Sequence, residues 1–167
     1  MDGFHLTRKA LSAMPDPDNA HARRGAAFTF DAQGFLAFVT ELRENVTDAL
    51  YAPTFDHAVK DPKERDLAIG PQERVVLVEG LYVALDEPVW RDAASVFDEL
   101  WFVDVDFERA RKRLRERHLR AGIVQTLEDG DKRAMENDLV NGRQIMDHRL
   151  PVAEVVQSLE DGEWVHE

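Results

Sequence analysis

The feature that most constrains the fold is a run of four apolar residues, Val75 to Val78, in the stretch 74–85. The run shows no alternation of apolar and polar residues, which is typical of a strand buried on both faces of a parallel sheet. It ends in Glu79 and Gly80. Open α/β sheets bind ligands at the carboxyl ends of central strands, so Glu79 is either a site residue or a carboxylate that meets solvent where the strand leaves the core.

Helical and strand-like patterns alternate along the rest of the chain. Apolar residues recur at helical spacing over 33–46, and strand-like runs cover 50–55, 99–105 and 151–159. Pro53 makes the first of these runs an edge strand or an ordered loop. Strands and helices joined by long crossovers predict an α/β fold, in which flanking helices cover a parallel sheet on both sides. We expect a single domain over residues 1–167.

Further helices are expected over 8–14, 88–96, 106–122 and 131–148. Asp106 can cap the third of these helices and Gly122 can end it. Between Asp106 and Arg120 there are seven basic residues and three acidic ones, in a chain whose net charge is −12. This helix is either a solvated face with internal ion pairs or an anion-binding element. In the last helix, Asn137 and Asn141 share one face, so they bond to a loop or a ligand or form a surface pair.

Composition narrows the classes of partner. No apolar run approaches the roughly 20 residues that span a bilayer, and the first residues lack the features of a signal peptide, so we expect a cytoplasmic protein and no membrane partner. The absence of cysteine excludes disulfides and thiolate metal sites. The net charge of −12 opposes binding to the phosphate backbone of nucleic acids. We therefore expect a small-molecule partner.

A zinc hydrolase is not favoured by the histidine pattern. The chain has six histidines, but none of them forms the His-Glu-x-x-His spacing that places two ligands on one helical face. We expect His5, His57 and His118 to be hydrogen-bonded polar residues rather than zinc ligands.

Seven short motifs follow one another in a familiar order. They are Asp2-Gly3-Phe4-His5, Arg23-Arg24-Gly25, Thr29-Phe30-Asp31, residues 51–57, Glu79-Gly80, Val103-Asp104-Val105-Asp106 and Arg117-His118. This order resembles that of the phosphoribulokinase and uridine kinase family of P-loop kinases. The chain looks most like the uridine kinase-like branch that is also similar to pantothenate kinase. The resemblance extends from Asp2 to about Ile145.

The resemblance implies a role for each matching residue. Asp2 matches the base that accepts the proton of the substrate hydroxyl as it attacks the γ-phosphate of ATP. Glu79 is similar to the acid that lies near Mg²⁺. Arg113 and Arg117 resemble the lid arginines that fold over the phosphates, so 106–122 is expected to be a lid-like basic helix. The implied substrate-binding residues of the acceptor pocket are His5, Arg24, Phe55, Asp56, His57 and Lys60.

The phosphate-binding loop of this family has no counterpart in the sequence. P-loop kinases need Gly-x-x-x-x-Gly-Lys-[Ser/Thr], yet none of the nine glycines is followed by lysine. In the family this loop precedes the element that matches Asp2. We therefore expect the carboxyl-terminal part of a longer kinase. The alternatives are a non-catalytic remnant that binds a metabolite or phosphate, and a protein-interaction module.

The missing segment also has a structural consequence. Without the strand and helix that belong to the loop, the central strand is expected to have an unpaired edge, and unpaired edges invite association. We therefore predict marginal stability or formation of a homo-oligomer.

Overall fold

The computed structural model describes residues 1–45 and 47–160. Its helices are α1 (Arg8–Ser12), α2 (Pro17–Ala22), α3 (Ala32–Glu44), α4 (Trp90–Ala94), α5 (Phe107–Arg120), α6 (Leu127–Arg133) and α7 (Leu139–Asp147). The strands are β1 (Leu50–Asp56), β2 (Asp61–Ile69), β3 (Trp101–Asp104) and β4 (Glu154–Gln157). Short 3₁₀ turns cover Asp2–Phe4 and Ala27–Thr29. Within 1–45 and 47–160, no helix is both long and apolar enough to cross a membrane.

Helix α3 confirms the helical pattern predicted over 33–46, although Val46 lies outside the described residues. The helix begins after Asp31, whose carboxylate accepts a hydrogen bond from the backbone N–H of Gly34 at 2.8 Å. One face of α3 buries Phe35 and Val39 against the main core. The helix therefore forms one wall of that core.

The main core is an aromatic cluster between α3, α4 and the segment after the apolar run. Trp90 of α4 packs against Phe30, Phe35 and Tyr82 with ring centroids 5.5 to 6.2 Å apart. Such tilted and edge-to-face pairs are favoured over stacked sandwiches. Leu85 is fully buried beside them. This cluster joins α3 and α4 to the segment that follows the apolar run.

Two small sheets are present in the described part of the chain. Strands β3 and β4 form a parallel pair, in keeping with the predicted α/β fold. Strands β1 and β2 form an antiparallel hairpin with a bulge near Pro53. The sequence predicts no strand over 61–69. Strand β2 is exposed along most of its length, so its sequence carries no apolar alternation that would predict it.

The prediction that the apolar run is buried on both faces is wrong. Val75 and Leu77 are 87% and 90% exposed, and only Val78 packs against the main core. No backbone hydrogen bond links 75–78 to another strand within the described residues. The sequence also predicts that 99–105 is a buried strand, which is wrong for Trp101 and Val103, since they are 58% and 64% exposed. Among the described strands, β3 pairs only with β4.

The basic helix has the ends that its sequence predicts. Asp106 caps α5 by accepting hydrogen bonds from the N–H groups of Glu108 and Arg109. Gly122 follows the helix with a φ of 65°, a left-handed conformation that favours glycine. The single helix predicted over 131–148 is instead divided into α6 and α7 by a π-helical turn, Ala134–Asp138.

Candidate active site

The first turn places two predicted site residues side by side. The amino group of Met1 donates to the carbonyl oxygen of Glu79 at 2.5 Å, so Asp2 lies next to the end of the apolar run. Gly3 is buried against the backbone of Pro53, where a Cβ atom would not fit. The Asp2 and Glu79 side chains are both exposed. Two carboxylates are therefore available to solvent at one end of the core.

Next to this turn, aromatic rings form a stack around His5. The His5 ring lies 4.0 Å from the ring of Phe30 and 5.0 Å from that of Phe55, centroid to centroid. The ring of His57 meets the other side of Phe55 edge-on at 5.2 Å. Three residues predicted for the acceptor pocket, His5, Phe55 and His57, are thus brought together.

The stack also sets the protonation of His5. Burial lowers the pKa of the His5 imidazole, and a hydrogen bond to the carbonyl oxygen of Asp2 opposes that effect. Nδ1 donates this bond at 2.8 Å, so in the neutral ring Nε2 carries the lone pair. His5 is therefore available as a hydrogen-bond acceptor beside Asp2.

The guanidinium of Arg24 donates hydrogen bonds to other groups of this chain. Its Nη1 donates to the carbonyl oxygen of Lys60 at 2.6 Å, and its Nη2 donates to Leu6 O at 2.9 Å and to Asp61 Oδ1 at 3.1 Å. The guanidinium also lies over the ring of Phe55, 5.2 Å from its centroid. Arg24 thereby fixes the β1–β2 hairpin against the first turn.

Asp56 and Lys60 shape the tip of the same hairpin. Asp56 Oδ1 accepts hydrogen bonds from the N–H groups of Ala58 and Val59 at 2.8 and 3.0 Å, which lowers the pKa of the Asp56 carboxyl. Lys60 has a φ of 62°. Both residues belong to the turn that joins β1 to β2.

The predicted lid arginines have different surroundings. Arg113 donates to Ser158 Oγ at 2.8 Å and to the carbonyl oxygen of Leu159 at 3.0 Å, so it joins α5 to the end of β4. Arg117 is exposed and forms no ion pair within the described part of the chain. A neighbouring ion pair between Arg111 and Asp131 fixes α5 to α6 through two hydrogen bonds of 2.7 and 2.6 Å.

A buried polar cluster around Arg23 was predicted only in part. Arg23 donates to Asn137 Oδ1 at 2.9 Å and to Asn141 Oδ1 at 2.7 Å. Of the alternatives left open for the two asparagines, the structure shows the bond to a loop, and the surface pair is not formed because both side chains are buried. The hydroxyl of Tyr82 donates to the carbonyl oxygen of Gly25 at 2.7 Å. Asn137 and Asn141 could be identified from the sequence because they are four residues apart on one helical face. Nothing in the sequence indicated that Tyr82 belongs to the cluster.

The residues present can accommodate Mg²⁺ in the way this ion is usually held. The described residues contain no group of three or more metal-ligating side chains. Mg²⁺ commonly retains several waters and binds one or two carboxylates together with substrate phosphates, so a dedicated cage is not required. The exposed carboxylate of Glu79 fits that pattern.

Comparison with known proteins decides the family. No family model matches the chain. Over 159 residues the chain is 50% identical to the ATP-dependent kinase-like protein notR' of Aspergillus versicolor, covering 93% of this chain and 92% of that protein. It is also 38% identical over 141 residues to a candidate uridine kinase of Schizosaccharomyces pombe. The chain belongs to the uridine kinase-like P-loop kinase family.

Solved structures agree with this membership of the uridine kinase-like family. YFH7 from Saccharomyces cerevisiae, described as a P-loop-containing kinase with a circular permutation, superposes with a TM-score of 0.86 at 32% identity. A candidate fructose transport system kinase from Silicibacter superposes with a TM-score of 0.83 at 33% identity over 93% of this chain and 71% of its own.

The chain does not span every relative to the same extent. The alignment with the Schizosaccharomyces relative covers 84% of this chain and 60% of that protein. The superposition on YFH7 covers 96% of this chain and 56% of the YFH7 structure. Several members of this kinase family therefore contain a large segment with no counterpart in these 167 residues.

Proposed function

We propose that this chain supplies the acceptor-binding and lid part of an ATP-dependent kinase that transfers a phosphoryl group to a hydroxyl of a small metabolite. The observation that carries the proposal is the placement of Asp2 beside Glu79 and the His5 stack. The chain is also 50% identical to an ATP-dependent kinase-like protein.

Asp2 is proposed as the general base. Its carboxylate is exposed next to the His5 stack, and its backbone carbonyl oxygen accepts a hydrogen bond from His5 Nδ1. A carboxylate within hydrogen-bond reach of the acceptor hydroxyl can take its proton as the oxygen attacks the γ-phosphate. Because phosphoryl transfer depends mainly on positioning and charge stabilisation, a single well-placed base is sufficient.

The His5 stack is proposed to position the acceptor. The rings of His5, Phe55 and His57 offer apolar faces next to Asp2, and Nε2 of His5 offers an acceptor for a second hydroxyl. Relatives are named as a uridine kinase and a fructose transport system kinase, whose names point to a nucleoside and a sugar. Both carry several hydroxyl groups, which suits such a pocket.

The negative charge of the phosphates is proposed to be balanced by the arginines of α5 on one side and by Mg²⁺ on the other. Arg117 extends from α5 without an ion-pair partner among the described residues, and its planar guanidinium suits phosphate oxygens. Arg113 is proposed to hold α5 in place through Ser158 and to contribute charge from the same face. Glu79 would hold Mg²⁺, which neutralises charge on the donor phosphates when bound.

The test must provide the phosphate-binding loop that these residues lack. In a chimera, this chain replaces the matching 56% of YFH7, whose remaining segment then supplies the loop. We expect the chimera to transfer phosphate from ATP to at least one member of a panel of uridine, fructose and pantothenate. Asp2→Asn should lower the transfer rate at least about 100-fold and leave ATP binding unchanged. Asp18→Asn, an exposed substitution of the same kind on α2, is the matched control.

Two results would reject parts of the proposal. If the Asp2→Asn chimera retains transfer, Asp2 is not the base. If the folded chimera binds ATP but phosphorylates nothing in the panel, the assignment to hydroxyl acceptors of this kind is wrong.

A second candidate is metabolite binding without transfer. It is favoured by the observation that the rings of the His5 stack and the groups that Arg24 binds all belong to this chain. Saturable binding of a panel member to the chain alone, together with an inactive chimera, would support this second function over the first.

A further inference from the structure

The guanidinium of Arg23 is held by two buried amides rather than by a carboxylate. Its Nε and Nη2 donate to Asn137 and Asn141, which are 5% and 2% exposed. Within 1–45 and 47–160, Arg23 forms no ion pair with an acid. Charged groups that leave water are normally paired with an opposite charge. The chain has 33 acidic residues against 21 basic ones, so the neutral partners of Arg23 do not reflect a shortage of acids.

The two amides have only their NH₂ groups left to offer a ligand. A guanidinium donates and cannot accept, so each amide must turn its oxygen toward Arg23. Neither Nδ2 donates a hydrogen bond to another described residue. Nη1 of Arg23 and the two Nδ2 atoms are not among the buried nitrogens that lack a partner, so all three are accessible from outside. The cluster therefore presents three donors and a positive charge.

The backbone around the cluster leaves room for a ligand. Gly25 has a φ of 109°, and a Cβ atom built on it would meet nothing within 4 Å. On the opposite side of Arg23, Asn137 lies in the π-helical turn Ala134–Asp138. Such turns within α-helices are frequently found at functional sites. Arg133, four residues before Asn137, has a buried Nε without a partner among the described residues and adds a further positive charge.

The acids near Arg23 are bonded to other side chains. Asp138 and Glu87 lie in its neighbourhood, since the charges of all three act on the same buried tyrosine phenol. Asp138 bonds to Nε2 of His118 at 2.9 Å, and Glu87 accepts a hydrogen bond from Gln144 at 2.7 Å. Neither carboxylate forms an ion pair with Arg23 in the part of the chain that the structure describes. The positive charge of Arg23 is thus left for a ligand.

We propose that Arg23, Asn137 and Asn141 bind an anionic group of a substrate, a carboxylate or a phosphate. The inference rests on the proposed function. Oxyanions only accept hydrogen bonds, so they match a cluster that only donates. Arg24 in the same loop bonds to the β1–β2 hairpin, and the π-helical turn packs against α5. The anion site therefore lies between the acceptor pocket and the lid-like helix, where either an acidic acceptor or the phosphates of the donor can reach it.

An NMR titration of the 167-residue chain tests the proposal. The Nε–H signal of Arg23 is followed as inorganic phosphate or pantothenate is added, and pantothenol, which has an alcohol in place of the carboxylate, is the neutral counterpart of pantothenate. We expect saturable shifts with at least one anion and none with pantothenol. A response to pantothenate identifies an acidic acceptor as the source of the anion, and a response to phosphate alone identifies a phosphate. If neither anion shifts the signal, the proposal is overturned.

Two isosteric variants separate anion binding from a structural role. Asn141→Asp and Asn137→Asp each keep an oxygen for Arg23 but replace the free NH₂ group by a second, negatively charged oxygen. Each should retain the stability of the wild type in urea and bind the anion at least about tenfold more weakly. Asn45→Asp is the matched control, because Asn45 Oδ1 also accepts hydrogen bonds at the end of α3 and gains the same charge.

Anion binding that persists in both folded variants would overturn the proposal and leave the two asparagines a structural role alone. Equal weakening in Asn45→Asp would overturn it too, because the effect would then come from net charge. Since binding is measured on this chain alone, an inactive chimera would reject the proposed function without changing the result of the titration.

Discussion

Arg23 donates a hydrogen bond from Nη2 to Oδ1 of Asn141, a residue 118 positions further along the chain, at 2.7 Å. Its Nε donates to Asn137 Oδ1 at 2.9 Å. Both asparagines are almost fully buried. The two bonds tie the loop after α2 to the π-helical turn and α7, so Arg23 links two parts of the chain that are more than 110 residues apart in sequence.

We predict that Arg23→Lys lowers the free energy of unfolding by about 2 to 3 kcal/mol. Lysine keeps the charge but lacks the planar fork, so at least one buried amide oxygen loses its donor. Urea denaturation measures the change.

The control for this substitution is Arg91→Lys. Arg91 forms an ion pair with Asp86 in which both side chains are largely exposed, so its replacement should cost less than about 1 kcal/mol. Equal losses in the two variants would contradict the importance of the Arg23 fork.

Two glycines in helices should respond to alanine with opposite signs. A Cβ atom on Gly130 would lie 2.7 Å from the carbonyl oxygen of Arg115, so α5 and α6 would have to separate. A Cβ atom on Gly142 would meet only the Phe107 ring, at an ordinary 3.8 Å. We predict that Gly130→Ala destabilises the fold by about 1 to 3 kcal/mol. Gly142→Ala should stabilise it by about 0.5 to 1 kcal/mol, because alanine loses less entropy in a helix.

Thermal unfolding of the two alanine variants checks this pair of predictions. Each variant serves as the control for the other, since both change glycine to alanine inside a helix. A stabilised Gly130→Ala variant would show that α5 and α6 are not in close backbone contact.

Tyr82 should resist ionisation. Burial raises the pKa of its phenol, and the hydroxyl donates to Gly25 O. The other of the two tyrosines, Tyr51, is exposed. In an alkaline absorbance titration we therefore expect the Tyr82 phenol to ionise only when the protein unfolds, well above the ordinary tyrosine pKa of about 10.

Tyr82→Phe tests the assignment. The variant should lose the late-ionising signal and about 1 kcal/mol of stability, the usual worth of a hydrogen bond. If Tyr51→Phe removes the late signal instead, the assignment is reversed.

Local signals predicted α3 and α5 well, whereas α2 (Pro17–Ala22) was not predicted. The ends of α5 follow from Asp106 and Gly122, and the apolar period of α3 identifies its buried face. Strand β2 was missed because its stability comes from pairing with β1, and its charged sequence has no period of its own. The exposure of Leu77 was also beyond prediction. An apolar pattern shows that a segment needs burial, but it does not identify what covers it.

The site was less predictable than the fold. His5, Phe55 and His57 were chosen from a family resemblance, and no periodicity in the sequence indicates that their rings meet. The family resemblance indicated which arginines lie near the site, but not which groups they bind. Arg24 and Arg113 are bonded within the chain, and a sequence motif cannot show where the five donors of a guanidinium point.

The stability of the fold should depend on pH through His5. Burial lowers the pKa of the His5 ring below its ordinary value of 6.5 in the folded chain. The unfolded chain therefore binds this proton at a higher pH than the folded chain does. His5 contributes no pH dependence well above 6.5, and stability is lost as the pH falls from 6.5 toward the folded pKa.

Two measurements separate this contribution from the titration of other groups. The NMR titration of the His5 ring should have its midpoint below 6.5 in the folded protein and near 6.5 in urea. In His5→Phe, which retains an aromatic ring between Phe30 and Phe55, the loss of stability below pH 6.5 should be smaller than in the wild type. A folded-state midpoint above 6.5 would mean that the Asp2 hydrogen bond outweighs burial, and the pH dependence would then have the opposite sign.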